Sequence, residues 1–131
     1  MINKKYLKLI RSKNKIDQNT FIYNLIAKRI IDSLDLLNVS FDKIFELGIN
    51  ENTVSKYIEH KFNNAEIFQG DLLQINLNQN PNFKFVKIDP NNLRLEKSNY
   101  NLIFSNLFLH LSSNIEGNMK NIFNSLKSNG F

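Results

Sequence analysis

Short apolar runs that each stop at a polar or acidic residue, alternating with helix-period stretches, constrain this chain most strongly. The runs are FDKIFELG (41–48), AEIFQGD (65–71), FKFVKID (83–89) and YNLIFSNLFLHL (100–111). Between the first two, ENTVSKYIEHKF places Val54, Tyr57, Ile58 and Phe62 on one helical face. Strands alternating with helices are predicted to lie parallel in one α/β sheet, wound in right-handed crossovers with helices on its faces. The fourth run is mostly apolar, as expected of a strand buried on both faces.

Two further helices frame the sheet. One is predicted from Asn19 to Asn38, capped by Asn19 or Thr20, with Phe21, Leu25, Ile26, Ile30, Leu34 and Leu37 at helical spacing. The other follows Asn114, with Ile115, Met119, Ile122, Phe123 and Leu126 as its apolar face and Lys127 and Gly130 at its stop. Leu72 to Phe83, rich in asparagine, reads as loop. At 131 residues, without repeats or a linker, the chain is one domain's worth. Residues 1–40 form a basic arm and lead-in helix, and residues 41–131 form the sheet and its helices.

Composition closes several alternatives. Hydrophobic residues at 42% and aromatics at 11% predict a packed core. Without cysteine, no disulfide, zinc ribbon or catalytic thiol can form, and with only His60 and His110 no metal site is expected. No apolar run approaches a membrane span and no secretory leader is read, so a cytoplasmic setting is expected. The net charge of +5 is local. Lys4, Lys5, Lys8, Arg11, Lys13 and Lys15 give +6 with no acid in 1–15, leaving 11 cations against 12 acids, or −1, elsewhere. The arm reads as a solvated lead-in, with an acidic partner as the alternative; no nucleic-acid partner is expected.

In parallel sheets, ligands bind beyond the carboxyl ends of the strands, at the switch point beside the first. That rule picks out Glu46 and Gly48, then Asp71, then Asp89, and finally Ser105, Asn106 and Leu107. Gly48 permits a tight turn and a close ligand approach. Asp71, 25 residues after Glu46, stands about where an acid meets ribose hydroxyls, as a strand-end acid supporting no core. Asp89 is suited to accept from an exocyclic amine. Glu46 suits a cationic end. Such acids repel a pyrophosphate and favour an adenosine-bearing ligand with a sulfonium amino acid. His60 is expected on a polar face, and His110 as a packed or rim residue. Methyl transfer from a sulfonium needs mainly alignment, so no catalytic residue is assigned.

The order FELG, GDLL, KIDPNNL, YNLIFSNLFLHL and LKSNGF resembles the class I methyltransferases that use S-adenosylmethionine. It is most similar to the branch holding the malonyl-carrier-protein methyltransferase of biotin synthesis and the methyltransferase-like assembly factors of respiratory complex I. There the fourth strand reads like FDLIxSNLxLHW before a helix ending LKPGGxF. Tyr100 to Ile103, Ser105 to Leu107, Leu109-His110 and Leu126-Lys127 match it. The basic lead-in INKKYLKLIRSKN resembles that of the assembly factors. The resemblance spans essentially the whole chain.

It implies a Rossmann-like three-layer parallel sheet preceded by N-terminal helices, and a protein or carrier-bound substrate. It implies S-adenosylmethionine as cofactor, held around Glu46, Gly48, Asn50, Asp71, Leu72, Asp89, Pro90, Ser105 and Asn106. Phe131 then falls where a fifth strand begins, so the chain reads as the first four strands of a larger domain. The departures lie in the first turn, usually Asp/Glu-x-Gly-x-Gly-x-Gly, which keeps only Gly48. Asn50 and Asn52 are expected to hold its positive φ at about 1 kcal/mol each. Asn101 replaces the usual Asp and is read as structural. Two alternatives stay open. A degenerate assembly or binding factor, or an arginine-hydroxylase-like relative, is one. A nicotinamide-dependent oxidoreductase is the weaker, since Gly-x-Gly-x-x-Gly is absent. Oligomeric state is not legible.

Overall fold

The computed structural model describes residues 5–6, 9, 20–49, 52–73 and 80–131. Its elements run α1 (Thr20–Asp35), β1 (Lys43–Leu47), α2 (Thr53–Lys61), β2 (Glu66–Asp71), β3 (Phe83–Lys87), β4 (Leu102–Ser105), a 3-10 turn (Leu109–Leu111) and α3 (Ile115–Ser125). The four strands form one sheet in the order β3-β2-β1-β4, and every neighbouring pair is parallel. This is the α/β sheet with flanking helices that the sequence predicts. Most of the basic arm and residues 74–79 of the asparagine-rich loop lie outside the described residues.

Alternation along β1 divides its side chains between two cores. On one face Ile44 packs with Ile67, Leu102 and Phe104, beneath Ala27 and Leu34 of α1 and Val54 and Ile58 of α2. On the other, Phe45 and Leu47 pack with Ile88, Leu93, Tyr100 and Phe108, and Ile122 of α3 lies against them. Phe45 stacks on Phe68 across the β1–β2 pair, with ring centroids 6.5 Å apart, and Tyr100 meets both rings edge-on. The stack leaves no room beside it: a Cβ on Gly70 would stand 2.7 Å from the Phe45 ring.

At the sheet's amino edge, Asn101 Oδ1 accepts from the N–H groups of Asp42 and Lys43, each at 2.9 Å. Asn101 is therefore structural, fixing the β1–β4 register at its entrance. Lys127 Nζ bonds both Asp42 oxygens at 2.9 Å, and that bond holds the carboxyl below the usual carboxylate range. Phe131 N–H donates to Asn101 O at 2.8 Å, while Ile103 N–H donates to Phe131 O at 2.9 Å. That is the hydrogen-bond pattern of a parallel ladder, so Phe131 pairs alongside β4.

Helix faces depart from the predicted stripes. In α3, Ile115, Met119 and Phe123 are exposed, while Asn118 and Ser125 are buried. Asn118 donates through Nδ2 to Pro90 O at 2.5 Å and to Ser112 Oγ at 2.7 Å, and accepts from Leu93 N–H at 3.2 Å. Buried loop backbone must be hydrogen-bonded, and this demand, not the apolar stripe, sets the rotation of α3. Likewise α1 turns Phe21 and Leu25 to solvent and buries Ala27 and Leu34. Its end is pinned to α2 by Lys61 Nζ on Leu34 O, 2.5 Å, and by Tyr57 on Asp35. The fourth apolar run is a strand only as far as Ser105. Leu107 then takes φ +56° and His110 is exposed in the 3-10 turn, the rim and not the packed one of the two positions expected for it.

Asn118→Leu strands Pro90 O and Leu93 N–H, and each unpaired buried group costs about 1–3 kcal/mol. Urea unfolding should show a loss of about 2 kcal/mol or more, whereas Phe123→Ser on the exposed face stays within about 0.5 kcal/mol. Equal losses would contradict this rotation of α3. Tyr57 offers a pH test. Burial, and then its bond to Asp35, push the phenol from 10.0 up to about 12. Since the unfolded phenol ionises near 10, the stability from Tyr57 is complete below that pH and is lost as pH rises through about 12. Between pH 9 and 11 the urea midpoint of Tyr57→Phe should fall less than that of the parent chain.

Candidate functional site

After β1 the chain builds β2 and β3 on one side, then returns to place β4 on the other. The crevice this reversal opens lies at the carboxyl ends of β1 and β4. The register aligns Leu47 with both Gly70 and Ser105, and Asp71 with Lys87. Glu46, Gly48, Asp71, Asp89, Ser105 and Asn106, picked out by topology, therefore lie along the carboxyl edge, and Leu72 and Pro90, named by the resemblance, follow β2 and β3 there. Asn50 lies outside the described residues.

Gly48 makes the turn possible. Its φ is +86°, and its N–H donates to Gly70 O at 2.7 Å. A Cβ there would meet Phe108 Cβ, Cδ2 and Cγ at 2.6, 2.7 and 2.8 Å. The bare side of the glycine thus faces a fully buried phenylalanine from the turn after β4. Asn52, expected at positive φ, instead has φ −75° as the residue before α2. Its carbonyl accepts from Lys56 N–H at 2.8 Å, and starting a helix requires no left-handed residue at this point.

Glu46 is 2% exposed and points beneath α2. Ser55 Oγ donates to its Oε2 at 2.6 Å and Gln69 Nε2 at 2.8 Å, and Gln69 also reaches Asn52 Oδ1 at 3.0 Å. No sequence motif points to Ser55 or Gln69. The signal for Gln69 is a polar residue on the apolar side of β2, opposite Glu46.

Asp71, predicted to support no core, is fully buried. Its Oδ2 accepts from Ile49 N–H at 2.8 Å and its Oδ1 from Leu72 N–H at 2.7 Å, because both turns bring buried amides to it. Leu72 is itself buried. Half-buried Asp89 accepts from Asn91 N–H at 2.9 Å and opens a tight turn whose Pro90 carbonyl is held by Asn118. Ser105 Oγ donates to Leu47 O at 3.2 Å, and Asn106 Nδ2 donates to Tyr23 O of α1 at 2.9 Å. The edge thus combines a glycine turn, a half-exposed carboxylate and a hydroxyl. Among the described residues it holds no exposed acid–base pair and no His, Asp or Glu cluster fit for a metal ion. No described helix is long and apolar enough to cross a membrane. His60 is exposed, as predicted.

Gly48→Ala combines a left-handed backbone penalty of about 1 kcal/mol with overpacking of about 1–3 kcal/mol. Urea unfolding of this variant should show a loss of about 2 kcal/mol or more. A loss below 1 kcal/mol on the same scale would mean that Phe108 yields freely.

No family model matches the chain. A malonyl-[acyl-carrier protein] O-methyltransferase of Calditerrivibrio nitroreducens is 24% identical over 116 residues, covering 88% of this chain and 46% of that protein. The chain thus spans about half the length of this curated relative. Among solved structures, a provisionally assigned S-adenosyl-L-methionine-dependent methyltransferase of Methanococcus maripaludis has a TM-score of 0.66 at 21% identity, over 91% of this chain and 58% of that one. The plantazolicin methyltransferase BpumL, solved with S-adenosylhomocysteine and a triazolic desmethylPZN analog, has a TM-score of 0.64 at 17% identity, over 92% of this chain and 48% of its own. With the parallel order and the carboxyl-edge site, these likenesses show that the chain has the fold of the class I S-adenosylmethionine-dependent methyltransferases and matches about half of such a protein.

Proposed function

We propose that the chain binds S-adenosyl-L-methionine at the carboxyl edge and forms the cofactor half of a methyltransferase acting on a protein or carrier-bound acid. The observation that carries this reading is the left-handed Gly48 turn, set beside Ser105 at the β1–β4 reversal of a methyltransferase fold. The carrier-bound substrate draws support from the named activity of the Calditerrivibrio relative, and the cofactor from S-adenosylhomocysteine in BpumL.

The residues present fit such a ligand. The turn at Gly48 brings backbone within reach of an amino acid moiety, Ser105 supplies a hydroxyl beside it, and half-buried Asp89 is an acceptor of the type that suits an adenosine amine or hydroxyl. When bound, the cofactor supplies an electrophilic methyl group on a sulfonium. The work left to this chain is alignment and exclusion of water, for which no general base is required. A second reading, an assembly or binding factor without methyl transfer, is favoured by the single glycine in the turn.

Calorimetry distinguishes these. S-adenosylmethionine or S-adenosylhomocysteine should bind and NAD should not. Tight NAD binding would overturn the reading, and silence towards all three would favour the assembly-factor role.

A further inference from the structure

We infer that Asp71 is a positioning residue, acting on a bound ligand through the turn after β1 and not as the acceptor of ribose hydroxyls. The inference rests on the cofactor reading above and deepens it. A hydroxyl donates at oxygen–oxygen distances of about 2.5–3.0 Å, which requires an oxygen the ligand can touch. Asp71 has 0% exposure. Each of its oxygens already accepts a backbone amide, Ile49 from the turn after β1 and Leu72 from the turn after β2.

The two bonds have a mechanical consequence. Residues 49 and 71 are 22 apart in sequence, so the carboxylate is a strut between two loops. It stands beside the Gly48 N–H to Gly70 O bond, so consecutive residues of the first turn, Gly48 and Ile49, are both tied to β2. Bonds from amides to a buried carboxylate are charge-assisted and about twice as strong as neutral ones. A turn with one glycine cannot gain its shape from glycine freedom alone, and the strut supplies that shape from outside. Asp71 thereby orders the backbone that faces the ligand.

The test uses the whole chain as parent, Asp71→Asn and Asp71→Ala. Affinities are measured for S-adenosylhomocysteine and for its 2′-deoxyribose analogue, and hydrogen exchange is followed at the Ile49 amide. Asp71→Ala should weaken both ligands by about 10-fold or more, leaving their affinity ratio unchanged within about twofold. Ile49 exchange should accelerate. Asp71→Asn, which keeps one acceptor oxygen, should recover part of both effects and keeps the test valid if the alanine variant does not fold. Collapse of the affinity ratio towards one in either variant would make Asp71 the ribose acceptor and overturn the inference. Unchanged Ile49 exchange in both variants would overturn the strut. A parent chain that binds neither ligand overturns the cofactor reading, and the ligand role of Asp71 with it, whatever Ile49 does.

Discussion

Strand β1 has no face left for water, so a carboxylate within it must find its hydrogen bonds inside the protein. Leaving an ion unpaired there would cost several kcal/mol. Glu46 meets the demand with Ser55 from α2 and Gln69 from β2. Those two bonds orient the first turns of α2 over the sheet and tie it to the β1–β2 pair. A slip of one residue would drive Glu46 into the aromatic core of Phe45, Phe68 and Tyr100 and lift Phe45 onto α2. Register, helix placement and the position of the Gly48 turn are all tied to satisfying one buried carboxyl group.

The strands and α2 are legible in the sequence because the residues that set their period are also the residues that pack. The α3 face is not, because its rotation answers to backbone groups 25 and 28 residues earlier, at Leu93 and Pro90. No local pattern carries that information, and Ile115, Met119 and Phe123 imitate a buried stripe. The end of β4 is hidden for a similar reason. An apolar run does not reveal that Leu107 turns left-handed to set Phe108 against Gly48.

The candidate site divides the same way. Its location is topological, so a chain that alternates strand and helix already specifies which residues reach the edge. Their orientation is not topological. Glu46 and Asp71 occupy the predicted positions, yet their oxygens serve Ser55, Gln69, Ile49 and Leu72. Gly48 also gains a second explanation. A glycine expected for close ligand approach is equally required by the phenylalanine packed against it.

The span between β1 and β4 bears on the order in which the molecule assembles. The β1–β2 pair joins residues about two dozen apart, whereas Asn101 bonds to Lys43 across 58. The longer closure carries the larger entropic penalty, so β4 is expected to dock after β1, β2 and α2 have met. The crevice at the β1–β4 reversal is then the last seam to close and the first to part. Any molecule bound across it clasps the slowest joint, so occupancy would lengthen the lifetime of the folded chain as well as raise its equilibrium stability.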